Sequence, residues 1–419
     1  MLCPVLFFHD DYNSAHQGSQ PKDVVMKQST SKSLIFILAL LVIFCPLGID
    51  IYLPAFVAMQ QGLDVAESQI QQTVSIYMLT VGLGQLIAGP LADKFGRKPI
   101  ATAGILLFTL GAILAVFSPN WVGIMVARAL QGLGACATFV AAFAIVRDSF
   151  GHKGAGQMLT YLNGIVCFIP AFAPLLGAWL TVEFGWRSNF IFLSGFAVLG
   201  LLLTLILFKE TKPKSTIYEG HLLDFRRFFP MLKSTEFMFN SALTMIGMAA
   251  MLVFVTTTPG WIMNELNSTV STFTFWFTIN AIISIVVSFI APHFIKRNSR
   301  GALFTGLSLF IIGALLMLGL QHIRHPGAIM IPMYIASIGF AFTLGAAAGK
   351  ALSGFPKQAG TASALIGVMQ MSGAGVLAFS SQQLLLDAPV QLALHLLIAA
   401  PFLLILTSKL KEKVHHNST

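Results

Sequence analysis

Apolar residues in this chain come in long uninterrupted blocks, and the charged residues gather between them. Pro99 to Ala127, Phe237 to Asn264, Gly301 to Ile323 and Ala388 to Ser408 contain no Asp, Glu, Lys or Arg. Each can cross a hydrocarbon core, which takes about 20 residues of helix. The pattern predicts twelve helices, at 34–58, 70–92, 100–118, 121–146, 155–181, 188–208, 237–260, 270–294, 302–320, 327–348, 360–381 and 389–407. The fold class is therefore an all-α membrane protein.

Charge adds orientation. With the first helix starting in the cytoplasm, 22 Lys and Arg fall in cytoplasmic segments, Arg187 and Arg324 fall in outer loops, and Arg128 falls inside a helix. This bias places both termini inside by the positive-inside rule. Only 10% of the residues are charged and 56% are hydrophobic, where soluble domains run near a quarter charged. The net charge of +9 does not indicate nucleic-acid binding, because the bases are spread between apolar blocks and form no single patch.

The longest polar connection, 209–236, divides the spans six and six. The expected organisation is a cytoplasmic tail (1–32), a first half (33–208), a central cytoplasmic loop (209–236), a second half (237–408) and a cytoplasmic tail (409–419). Two six-helix halves are the pattern of transporters built from repeats, with the substrate site at their interface. The loop GPLADKFGRKP after the second helix has a weaker counterpart, APHFIKRNSR, after the eighth. The second copy lacks the acid, so the halves are expected to act unequally. Met26, followed by KQSTSK and the first apolar run, reads as an alternative start, with Met1 to Val25 matching neither a signal peptide nor a span. The cysteines show no paired spacing for a metal or a disulfide framework.

Of the sixteen acids, only Asp50, in GIDIYLPA, lies well inside an apolar span. A charge there costs about 2.5 kcal/mol or more. A carboxylate taken out of water favours its protonated form, so such a group is suited to carry protons. Arg128, in VARALQGLGA, is the only base inside a helix, at a depth similar to that of Asp50. Two readings of Arg128 stay open: a mobile partner of Asp50, or a structural bridge to backbone carbonyls or Gln131.

The loop after the second helix reads Gly89-Pro-Leu-Ala-Asp93-Lys94-Phe-Gly96-Arg97-Lys98. Its small residues suit close packing and a sharp turn, and Asp93, Arg97 and Lys98 form a charge cluster at the cytoplasmic mouth. G-x-x-x-D-K-x-G-R-K resembles the signature of the major facilitator superfamily between its second and third helices. ARALQGLGA resembles that superfamily's fourth-helix motif. LNGIVCFIPAFAPLLGAWL resembles the fifth-helix motif of its drug antiporters, with Pro174 and Gly177 matching and Ala173 and Ala178 replacing glycines. GIDIYLPA, RDSF and LFKET add to a likeness that spans Ser33 to Ser408 and is nearest the twelve-helix drug:proton antiporters, chloramphenicol exporters among them.

The resemblance implies the major facilitator fold, two pseudo-symmetric six-helix halves working by alternating access, with spans 1, 4, 7 and 10 around a central cavity. That arrangement would bring Asp50 and Arg128 onto the same water-filled surface, and from their burial and depth the pair is expected to couple transport to protons. Gly89, Asp93, Lys94, Gly96, Arg97 and Lys98 would form a conformational latch. Pro170, Pro174 and Gly177 would let span 5 bend and pack closely. Tyr52, Tyr77, Gln131, Asn163, Phe168 and Gln370 are candidates for a substrate pocket. GAAAGK at Gly345 to Lys350 has the wrong spacing for a phosphate loop.

The functional expectation is proton-coupled efflux of small lipophilic drugs by a monomer in the inner membrane. Its partners are protons, the drug and membrane lipid, with no cofactor, metal, catalytic residue or nucleic acid. The alternative is a proton-coupled nutrient or metabolite transporter of the same fold.

Overall fold

Residues 32–213 and 225–416 are described by the computed structural model. The expectations for the N-terminal tail, the start at Met26, the middle of the central loop and the last three residues lie outside them. Among the described residues, twelve helices are long and apolar enough to cross a membrane. In chain order they are span 1 (Lys32–Leu63), span 2 (Glu67–Phe95), span 3 (Arg97–Phe117), span 4 (Trp121–Phe150), span 5 (Gly154–Phe184) and span 6 (Arg187–Leu207). Then come span 7 (Thr235–Glu265), span 8 (Val270–Arg297), span 9 (Ser299–Leu320), span 10 (Gly327–Ser353), span 11 (Ala359–Gln382) and span 12 (Ala388–Ser408).

Most helices run past their apolar blocks because polar residues at their ends satisfy the free N–H groups of the first turn. The Asn120 side chain accepts from the Gly123 N–H at 3.0 Å ahead of span 4, and Asn298 accepts from the Gly301 N–H at 2.8 Å ahead of span 9. Ser234 and Thr269 cap spans 7 and 8 in the same way. Between spans 4 and 5 the expected non-helical linker is absent. Helical turns continue from Trp121 to Phe184, since no proline interrupts 147–154.

Spans 1, 4, 7 and 10 are the most buried, with 72%, 61%, 78% and 67% of their apolar windows inside the bundle against 50% or less elsewhere. These are the four expected around the centre. Spans 3 and 4 and spans 9 and 10 form tight pairs within their halves, while span 2 packs along span 11 and span 5 along span 8 across the halves. Both described termini emerge at one end of the bundle, called here the terminal end; the opposite end is the far end.

Candidate functional site

Span 1 is broken where the chemistry sits. Its helix runs from Lys32 to Asp50, followed by a turn, a short 3-10 segment at Leu53–Ala55, and a second helix from Phe56 to Leu63. Pro54 explains the break. It has no N–H to offer the carbonyl four residues back, which belongs to Asp50, and its ring crowds that carbonyl. Asp50 is thus the last residue of a helix, at the end where the aligned peptide dipoles make a second negative charge least welcome. The residue is 2% exposed, and its Oδ2 has no hydrogen-bond partner.

Span 5 reaches this break through Gly177. A side chain there would overlap the Ile51 carbonyl oxygen, so only glycine lets the two backbones touch beside Asp50. Pro170 and Pro174 are buried in the same helix. Asn189 of span 6 donates to Thr181 Oγ1 at 2.8 Å and fastens the neighbouring turn.

Arg128 is fully buried, and its guanidinium lies between two tyrosine rings, 4.6 Å from the centre of Tyr52 and 4.3 Å from that of Tyr77. Nη1 donates to Gln131 Oε1 at 2.7 Å and Nε to the Thr73 carbonyl at 3.4 Å, while Nη2 has no partner. The tyrosines are themselves pinned. Tyr52 Oη pairs with Thr73 Oγ1 at 2.9 Å, and Tyr77 donates to the Cys45 carbonyl at 3.0 Å. Arginine keeps its charge under all ordinary conditions, so this cage holds a permanent cation on ring faces and amide oxygen. Arg128 and Asp50 form no ion pair in this conformation, and of the two sequence readings the geometry matches the bridge to Gln131 and a backbone carbonyl.

Among the described residues, two small cavities between the spans bear on the site. One is enclosed by spans 1, 2, 4, 5 and 11, with Cys45, Gln85, Phe139 and Met371 in its wall. The other lies between spans 5, 8 and 10, where Ser284, Ser288 and Ser337 supply hydroxyls. None of the six residues expected to form a pocket lines either one. Tyr52, Tyr77 and Gln131 are occupied in holding Arg128, and Asn163 is partly buried in span 5. Phe168 shares an exposed stripe with Phe172, Leu175 and Trp179 on the outside of the bundle, because helical spacing puts these four on one face. Gln370 is buried with its Nε2 unpartnered in a π-helical turn, Met369–Gly373, next to the cavity residue Met371.

The motif loop folds into a compact charge cluster at the terminal end. Arg97 is nearly buried and bridges Asp93 at 3.0 Å and Asp148 of span 4 at 2.6 Å, and it donates to the Ala92 carbonyl at 2.8 Å. Glu210, beyond span 6, accepts from the backbone N–H groups of Arg97 and Lys98 at 2.9 and 3.0 Å, at the start of span 3. Partial burial pushes the Glu210 carboxyl up, but N–H groups of Lys212, Arg97, Lys98 and Thr211 outweigh it and hold it below the usual glutamate range. Lys98 Nζ donates to the Leu205 carbonyl, and Lys212 Nζ to the Lys94 carbonyl. Gly96 takes φ +108°, a conformation that favours glycine, and a side chain there would run into Glu210. The expectation of close packing fails at Gly89, where a Cβ would meet nothing within 4 Å.

Sequence reasoning missed Asp148 and Glu210 as partners of this cluster, although both stand in short acidic motifs at helix ends. It also missed a contact between the halves at the far end. There Asn264 of span 7 donates to Gln60 Oε1 at 3.0 Å and to Glu67 Oε2 at 3.5 Å, and the Glu67 carboxylate sits where a side chain on Gly260 would be. Deeper in, Ser75 donates to Gln382 at 3.3 Å and Ser372 to the Leu79 carbonyl at 2.8 Å, both across spans 2 and 11.

Comparisons with known proteins agree with this architecture. Residues 38–378 match the family model described as Major Facilitator Superfamily. The chain is 30% identical over 337 residues to multidrug resistance protein MdtL of Klebsiella pneumoniae, covering 80% of this chain and 85% of that protein. Against MdtL of Vibrio parahaemolyticus the identity is 31% over 381 residues, covering 86% and 94%. Among solved structures, a D-xylose-proton symporter aligns with a TM-score of 0.72 at 14% identity, over 88% of this chain and 96% of that one. A POT family transporter in complex with a thioalcohol conjugated peptide aligns with a TM-score of 0.73 at 14% identity, over 90% and 96%. At such identity these two likenesses concern the fold alone.

Proposed function

The chain belongs to the major facilitator superfamily, and on that premise we propose that it exports small lipophilic compounds by alternating access, driven by protons that bind and leave Asp50. The relatives named as multidrug resistance proteins support the direction and the substrate class. The observation that carries the coupling role is the Asp50 carboxylate itself. It is buried at a helix break with an unpartnered oxygen, one helix away from a caged arginine. Intramembrane acids of this kind mark ion pathways.

In this reading the far end is closed by the contacts of Asn264 with Gln60 and Glu67, and outward opening separates them. The cluster of Asp93, Arg97 and Asp148 holds spans 2, 3 and 4 together at the terminal end, which faces the cytoplasm by the bias of Lys and Arg. Arg128 keeps a fixed positive charge in span 4, so protonation of Asp50 changes the summed charge of these two buried groups from zero to one.

The driving force is adequate. One proton returning down an inward potential contributes about 2.3 kcal/mol per 100 mV, and about 1.4 kcal/mol sustains a tenfold concentration ratio. A neutral drug exchanged for one proton is therefore held at a ratio of tens-fold for each ~100 mV. The direct test is drug susceptibility of a pump-deficient bacterial host carrying the gene. We expect raised resistance with the native chain and none with Asp50→Asn expressed to the same level. Equal resistance from both would remove Asp50 from the mechanism, and uptake driven inward would replace efflux.

A further inference from the structure

The last residues of the central connection lie against both halves at the terminal end. They form a 3-10 turn, Phe225–Phe228, and a short helix, Phe229–Lys233, just ahead of span 7. Phe228 and Met231, three residues apart and so on one helical face, are buried in an apolar cluster separate from the main core. Their partners are Phe237 of span 7, Ala351 of span 10, and Ala362 and Leu365 of span 11. The segment is thus anchored on the second half.

Arg227 reaches the other way. Its Nη2 donates to the carbonyl of Leu86 in span 2, at 2.9 Å. That carbonyl is available for a local reason: its helical donor would be the N–H of residue 90, and Pro90 has none. A guanidinium is a strong replacement, because bonds to a charged donor exceed those between neutral groups. The proline of the loop motif and the arginine of the central connection therefore form one joint across the halves. Next to it, the Gln85 side chain of span 2 fills the place that a side chain on Gly367 of span 11 would take, so the two spans touch at this level. The cluster of Asp93, Arg97, Asp148 and Glu210 cannot serve as such a joint, since all its members belong to the first half.

We propose that Arg227 is a gating residue of the transport cycle: its bond to the carbonyl freed by Pro90 fastens the central connection to span 2 and holds the terminal end shut. The inference rests on the alternating-access reading above. Opening the terminal end draws spans 2 and 11 apart. Phe228 and Met231 stay with the second half, so the contact that parts is the one at Leu86. A single charge-assisted hydrogen bond is weak enough to break in every cycle and strong enough to bias the two populations about tenfold.

The test uses the full chain in proteoliposomes, without drug and in a background without native cysteines. Spin labels on Phe95→Cys and Gln358→Cys, both exposed at the terminal end, report the separation of the halves. We expect Arg227→Met to raise the ratio of wide to narrow distances about tenfold. Arg227→Lys, which keeps a charged donor, should recover most of the narrow population. Pro90→Ala gives the Leu86 carbonyl its helical donor back, so Arg227→Met added to it should shift the ratio severalfold less than in the native background. An unchanged ratio in Arg227→Met would overturn the inference. Equal shifts with and without Pro90→Ala would overturn the assignment to the Leu86 carbonyl. Proton-driven drug efflux, measured in parallel, keeps the two readings apart. Distances that respond as expected in a chain that exports no drug would sink the efflux reading alone, and efflux with distances indifferent to Arg227 would sink this inference alone. Should Arg227→Met not fold, Phe228→Ala loosens the other end of the strap and should widen the same distances; no widening there would overturn the inference.

Discussion

The ring of Tyr77 covers the guanidinium of Arg128 at 4.3 Å while its hydroxyl is tied to span 1 through the Cys45 carbonyl. One side chain therefore joins spans 1, 2 and 4 and shields their buried charge. Replacing Tyr77 by Phe keeps the ring and loses one hydrogen bond, a change of about 1 kcal/mol. Tyr77→Leu removes the ring face as well, worth about 2 kcal/mol more for a desolvated cation. Thermal unfolding in detergent should rank native, Tyr77→Phe and Tyr77→Leu in falling order, with the larger step at the second change.

Gly177 makes a different demand, since a side chain there collides with the Ile51 carbonyl. Gly177→Ala must push span 5 away from the break that holds Asp50. We expect transport to fall at least tenfold and stability to drop with it. Gly164 of the same span has open space at its Cβ position, so Gly164→Ala should behave as the native protein does. Equal activity of the two variants would show that the contact with Ile51 is dispensable.

The far-end contact between halves depends on Gly260 leaving room for the Glu67 carboxylate. Gly260→Ala should expel Glu67, weaken its link to Asn264 and shift the population toward outward opening. Thr256, fully buried below that contact, provides the reporter. In a background without native cysteines, Thr256→Cys should label several-fold faster with a membrane-impermeant maleimide applied from the far side when Gly260→Ala is present. Unchanged labelling would mean that the contact does not hold the far end shut.

At the terminal end, Glu210 gives the fold a pH dependence. Its carboxyl is held below the ordinary glutamate range by backbone N–H groups that outweigh partial burial. A carboxylate depressed in the folded state stabilises it above the unfolded pKa, near 4.3 for glutamate. That stabilisation is lost as pH falls through the lower folded value. The native protein should thus lose thermal stability on acidification below about pH 5 more steeply than Glu210→Gln. Parallel curves for the two proteins would contradict this.

The twelve spans were legible because apolar blocks and charged punctuation report depth, and depth is one-dimensional along the chain. Asp50 and Arg128 were legible for the same reason, as rare ionisable residues at mid-span. Which groups they touch was not, because contact depends on rotation about each helix axis. Arg128 turns its guanidinium to Tyr52, Tyr77 and Gln131 and makes no ion pair with Asp50, and Phe168 turns outward. The latch motif was readable as a local string, whereas Asp148 and Glu210 join it from other helices. The notch at Gly260 was hidden, since only the folded chain brings Glu67 to it.

The role of Asp50 is tested most directly in proteoliposomes of matched protein content, equilibrated with the same concentration of a neutral drug inside and outside and then given an inward proton gradient. We expect the native chain to move drug against its gradient and to acidify the lumen in step. Asp50→Asn should insert and bind drug yet show neither proton-driven extrusion of drug from the lumen nor proton movement. Native rates of both in the Asp50→Asn protein would contradict the account.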